Sequence, residues 1–136
     1  MKSVFTLLVI SLATSTNLFA QSGSLSIDKN IKLNVQSITQ YIEIDVPEVA
    51  TNLLITVYCS IKSGSVEAIL LDPNGRSMGK LKLGSKDNKN DQSENGKLNL
   101  TFKNAQLGTW KIKVVPSKTE GNLRVSSMVS LETTNE

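Results

Sequence analysis

The sequence predicts an all-β fold, a single jelly-roll-like β-sandwich of about seven to nine antiparallel strands. Three observations carry that expectation. From Leu25 onward the apolar residues recur with a period of two, the spacing of a strand with one buried face. Turn signals separate the alternating runs, most clearly Asp72-Pro73-Asn74-Gly75, where proline presets the first turn position and Asn-Gly tolerates positive φ. No stretch carries the 3.6-residue period of a helix.

The strands read in order as follows. Leu25 and Ile27 alternate, then Ile31, Leu33 and Val35, then Ile42, Ile44 and Val46 up to Pro47. Leu53, Ile55, Val57, Cys59 and Ile61 share one face of the longest apolar run. Val66, Ala68 and Leu70 follow, interleaved with Glu67, Ile69 and Leu71, a pattern consistent with burial on both faces. After the Asp-Pro-Asn-Gly turn, Leu81 and Leu83 mark a short strand. The polar segment from Gly84 to Gly96 is expected to form a long exposed loop. Leu98, Leu100 and Phe102 come next, then a turn at Leu107-Gly108, then Trp110, Ile112 and Val114. A second turn is expected from Pro116 to Gly121, and Leu123, Val125, Ser127, Val129 and Leu131 form the last strand before a flexible tail, 132–136.

The first twenty residues differ from the rest. Met1-Lys2, the apolar run Val4–Leu12 and the small-residue end at Ala20 have the order of a Sec-type signal peptide. The run is too short for a membrane span. The expectation is an exported protein, periplasmic or extracellular, whose mature chain Gln21–Glu136 is one soluble domain. Its one cysteine, Cys59, has no partner for an internal disulfide, and its phase makes it a small buried residue.

Tyr41-Ile42-Glu43-Ile44-Asp45-Val46-Pro47, the strand Gly64–Leu71 running into Asp72-Pro73-Asn74-Gly75, and Gly108-Thr109-Trp110-Lys111-Ile112-Lys113-Val114 occur in an order that resembles the bacterial pre-peptidase C-terminal domain. It resembles more loosely the proprotein-convertase P domain. The resemblance spans about Tyr41 to Val129 and implies a jelly-roll-like sandwich of the kind appended to secreted enzymes. In this chain Val66, Glu67 and Ala68 stand where the family's Asp-rich positions fall before the turn.

The composition argues against catalysis. The chain has no histidine, and its carboxylates are scattered over turns and strand exteriors. Glu43 and Asp45 share one polar strand face, but they suit solvation better than a glycosidase pair. Asp87, Asn90, Asp91 and Glu94 are oxygen donors that calcium could use, though their spacing is not that of an EF-hand. Two tyrosines, Tyr41 and Tyr58, are in the right phase to offer a sugar a ring face, whereas Phe102 and Trp110 read as core.

Charge is unevenly distributed. Gln21–Gly75 carries three Lys/Arg and six Asp/Glu, net −3, and Arg76–Glu136 carries eleven and six, net +5. Lys80, Lys82, Lys97, Lys103, Lys111 and Lys113 all fall on the polar phase of their strands, and would share one basic face if those strands were neighbours. The functional expectation is an exported non-catalytic binding module for a protein or an anionic glycan. The alternatives are a structural or assembly component of the cell envelope, acting through strand edges, and a calcium-binding accessory domain. Nucleic acid is not an expected ligand, because the basic residues lack interleaved aromatics.

Overall fold

A computed structural model describes residues 23–48, 50–84 and 93–131. They form six strands and no helix: β1 (Ser24–Leu33), β2 (Gln40–Val46), β3 (Ala50–Leu71), β4 (Ser77–Gly84), β5 (Glu94–Lys103) and β6 (Gly108–Leu131). All pairings are antiparallel.

Two of these strands are long and serve both layers. The first half of β3 pairs with β5 and with the second half of β6, whose other edge carries β1. The second half of β3 pairs with β4 and with the first half of β6, whose other edge carries β2. The first sheet is therefore ordered β1-β6-β3-β5 and the second β2-β6-β3-β4, the strand order of a jelly roll. Phe102 from the first sheet and Trp110 from the second meet across the interior with ring centroids 5.0 Å apart.

The period of two explains both layers. Leu53, Ile55, Val57, Cys59 and Ile61 are buried on the first half of β3, and Val66, Ala68 and Leu70 on the second. The buried set changes from odd to even numbers where the register shifts, between Ile61 and Ser65. On β6 it changes in the opposite sense, from Trp110, Ile112 and Val114 to Leu123, Val125 and Val129. Twenty buried apolar residues form one cluster. With each large side chain contributing roughly 1.5–3 kcal/mol, that core holds the sandwich without a disulfide; Cys59 is free and buried.

The bend between the layers depends on two glycines. Gly64 has φ +77°, and a Cβ there would lie 2.2 Å from the carbonyl oxygen of Lys118. At Gly121 a Cβ would lie 2.1 Å from the carbonyl oxygen of Ser60. Lys118 itself takes φ 48°, and the buried Thr119 hydroxyl donates to the Ser65 carbonyl, tying the two bends together.

The structure corrects four sequence expectations. Pro116–Gly121 is a bent part of one continuous strand, not a turn. The same continuity joins Leu53–Ile61 to Val66–Leu71, and Leu25–Ile27 to Ile31–Leu33, so six strands replace the seven to nine expected. Gly84 ends β4 and Glu94–Gly96 belong to β5, opposite Ile61, Ser60 and Cys59, so both ends of the segment expected to be a loop are strand, and 85–92 lie outside the described residues. Val35 lies outside β1 and is exposed; there the Asn34 side chain accepts from the Gln36 amide and the Ser37 hydroxyl from the Asn34 amide.

The Asp72 turn matches its sequence signature. The buried carboxylate accepts from the amides of Asn74 and Arg76 at 2.9 and 2.8 Å and from Arg76 Nε at 2.8 Å. Burial works to raise the Asp72 pKa, but these hydrogen bonds outweigh it, and the carboxyl lies below its ordinary value. The signal-peptide segment, three of the four candidate calcium ligands (Asp87, Asn90, Asp91) and the tail lie outside the described residues.

Candidate functional site

The polar phase of each strand places its side chains on one of two outer faces. On the first sheet, one cross-strand row reads Asp28, Ser126, Thr56, Asn99, and the next reads Asn30, Arg124, Tyr58, Lys97. Rows to either side add Asn122, Ser60 and Asn95, and the exposed pair Met128 and Leu54. Lys32 shares the Asn122 row and Lys103 ends β5, so the amides and hydroxyls of this face are interspersed with Asp28, Lys32, Lys97, Lys103 and Arg124.

At its centre is a shallow depression of about 350 Å³, lined by Thr56, Tyr58, Lys97, Arg124 and Ser126. Tyr58 is 44% exposed, although it occupies a central strand, so its ring stands open to solvent. Thr56 donates to Asn99 Oδ1 at 2.8 Å. Arg124 makes a two-pronged pair with Asp28, Nε to Oδ1 at 2.9 Å and Nη2 to Oδ2 at 2.5 Å. The hydrogen bond from Arg124 holds the Asp28 carboxyl below its ordinary pKa, and the carboxylate in turn raises that of the guanidinium. The pair fixes the guanidinium plane beside the depression. Lys97 makes no ion pair among the described residues, so the depression carries one uncompensated positive charge.

The six lysines singled out from the sequence do not share a face. Lys97 and Lys103 lie on β5, on the outer face of the first sheet. Lys80, Lys82, Lys111 and Lys113 lie on the outer face of the second. Strand phase correctly sends each lysine outward, but β4 and β5 are edge strands of opposite layers, and β3 separates β4 from β6. The second face is also not simply basic. Glu43 stands opposite Lys111, Glu67 opposite Lys82, and Lys80 Nζ lies 3.9 Å from a Glu67 oxygen.

Of the candidate calcium ligands only Glu94 is described. It lies at the start of β5 and lines a depression of about 690 Å³ beside the bend, with Lys82 and Lys118. No group of three acidic, cysteine or histidine side chains suited to a metal occurs among the described residues. Glu43 and Asp45 sit on an exposed edge strand, and Asp45 accepts from the Thr109 hydroxyl at 3.0 Å.

Sequence reasoning named Tyr58 as a sugar platform but missed Arg124, Thr56, Asn99 and Ser126. The available signal was the run of Asn, Ser and Thr on the polar phase of β3, β5 and β6, where charged residues are the usual occupants of a solvated face.

No family profile and no curated protein sequence matches the chain. Similar solved structures include dimeric latent PorU from Porphyromonas gingivalis, at 9% identity and TM-score 0.55 over 82% of this chain; the chain spans 13% of that protein's length. They also include a Bacillus endospore appendage protein from a family of disulfide-linked pili (5% identity, TM-score 0.48, 84% of this chain and 90% of that one). A third is the non-crystalline-cellulose-specific carbohydrate-binding module CBM28 (8% identity, TM-score 0.44, 75% of this chain and 70% of that one). The likeness to PorU is one of fold alone. The class defined is an all-β sandwich, and among the described residues no helix is long and apolar enough to cross a membrane.

Proposed function

We propose that the chain is an exported, non-catalytic binding module that holds an acidic carbohydrate chain on the outer face of the β1-β6-β3-β5 sheet. The observation that carries this reading is the open Tyr58 ring at the centre of a face built from amides and hydroxyls. Sugars present an apolar C–H face and a rim of hydroxyls that both donate and accept. Tyr58 offers the flat apolar partner, and Thr56, Asn99 and Ser126 offer neutral hydrogen-bonding groups beside it. The depression of about 350 Å³ is at the small end of ligand sites, roughly 300–1,000 Å³, enough for a short stretch of a chain that continues across the face. Lys97 and the clamped Arg124 favour a carboxylate- or sulfate-bearing sugar over a neutral one.

Isothermal titration against a panel of soluble polysaccharides, polygalacturonate and a neutral glucan among them, tests the reading. The expected result is binding to the acidic polymer that falls about tenfold, or 1.4 kcal/mol, in Tyr58→Ala and survives Tyr41→Ala on the other sheet. Binding that ignores Tyr58→Ala would overturn it.

A further inference from the structure

We infer that the proposed glycan crosses the strands instead of following them, with one sugar on Tyr58 and the carboxylates of its two neighbours on Arg124 and Lys97. This rests on the carbohydrate reading above and adds to it the direction of the chain and the spacing of its charges.

Register sets the line. Asn30, Arg124, Tyr58 and Lys97 stand opposite one another on β1, β6, β3 and β5, and so form one straight row across the sheet. All four are exposed. Tyr58 is thus flanked by a cation on each side, Arg124 on β6 and Lys97 on β5. Adjacent strands lie about 4.8 Å apart, which puts the two cationic positions about 10 Å apart with the ring midway.

The other lines through Tyr58 lack this pair. Along β3 its outward neighbours are Thr56 and Ser60, both neutral. One diagonal runs from Ser126 to Asn95 and the other from Asn122 to Asn99, and these are neutral as well. The depression has the same direction as the row, since its lining spans β6, β3 and β5.

The two cations act differently. Asp28 holds Arg124 through Nε and Nη2, so the remaining N–H groups of the guanidinium meet an anion in a fixed plane. Lys97 is a flexible point charge. Asp28 itself stands one row off the line, opposite Ser126. From there its carboxylate repels an acidic chain displaced along the strands toward Thr56.

These spacings select a ligand. An extended chain of 1,4-linked pyranoses advances by about 5 Å per sugar, close to the strand spacing of about 4.8 Å. Three consecutive sugars therefore fall on β6, β3 and β5. In a flat two-fold chain every second sugar turns its carboxylate to the same edge. The sugars over Arg124 and Lys97 are such a pair, and the one between them, turned the other way, stacks on Tyr58. The ligand class is a two-fold uronate chain, read as three sugars with acid on the first and third.

Calorimetric titration of the full chain with β-1,4-linked oligomannuronates of two to six sugars tests this. Affinity should rise about tenfold from dimer to trimer and level off by the tetramer, because the sheet is four strands wide. Methyl esterification of the central carboxylate of the trimer should leave its affinity within about twofold, whereas esterifying the first and third should lower it about a hundredfold. Lys97→Met should lower trimer affinity about tenfold. Lys103→Met, which removes a cation from the same strand and face but off the row, should not. Circular dichroism checks that both variants are folded. A trimer that loses binding through its central ester and not its outer ones overturns the inference and leaves the carbohydrate reading standing. So does a Lys103→Met variant as weak as Lys97→Met, or a wild type that binds polygalacturonate but no oligomannuronate. A wild type that binds no acidic polymer overturns both.

Discussion

The two outer faces are made by the same pair of long strands yet differ in kind. On the first sheet, β3 turns Thr56, Tyr58 and Ser60 outward; on the second, it turns out Glu67, Ile69 and Leu71. The first face pairs Arg124 with Asp28 and sets Lys32, Lys97 and Lys103 among neutral amides and hydroxyls. The second intersperses acids and lysines around an apolar strip. Desolvating neutral amides and hydroxyls is cheap when a ligand replaces their hydrogen bonds, whereas desolvating charges is repaid only by a partner of matching pattern. One strand can thus carry two surface chemistries, provided that its two halves face opposite ways.

The most severe way to break this contrast is to straighten the bend. Gly121→Ala and Gly64→Ala each drive a Cβ into a backbone carbonyl, and Gly64 also loses its positive φ. Each should cost about 3 kcal/mol or more, and denaturant melts should show both faces lost in one transition. A smaller change separates the faces: Tyr58→Ala should weaken glycan binding about tenfold while leaving the free energy of unfolding within about 0.5 kcal/mol of wild type.

Cys59 tests the inner side of the same strand. It is fully buried directly behind the exposed phase of β3, and burial pushes its thiol up to about 11. Cys59→Ala should cost about 1 kcal/mol with glycan binding unchanged, and native protein at pH 8 should resist thiol reagents until it unfolds. The smallest effect concerns Asp28. Because its folded pKa is lowered from 3.8, its pair with Arg124 adds stability above that value and loses it as the pH falls through the lower, folded value. Asp28→Asn should therefore flatten the acid limb of a stability–pH curve below about pH 4 and change little at neutrality.

Much of this architecture was legible in the alternation itself. Leu53–Ile61, Ile42–Val46 and Trp110–Val114 point inward as their phase requires, and Asp72-Pro73-Asn74-Gly75 forms the turn that its residues encode. What the pattern could not reveal was continuity. Gly64 and Gly121 look like turn residues, because a bend within a strand and a turn between strands need the same backbone freedom. Neighbourhood was hidden too. Each lysine's phase is local, but whether Lys97 lies beside Lys82 or on the far side of the molecule depends on which strands pair, and that is decided by contacts distant in sequence. The polar face around Tyr58 was obscured for the same reason: Arg124, Thr56 and Lys97 come from three strands and meet only through their register.

The shared strands also set how the protein would bear tension. A pull between the two outer faces does not have to cross the edge strands. It runs along β3 and β6, which are joined by nineteen registered residue pairs. Because the two faces point away from each other, the pull is directed across the layers and falls on the bends where β3 and β6 pass from one sheet to the other.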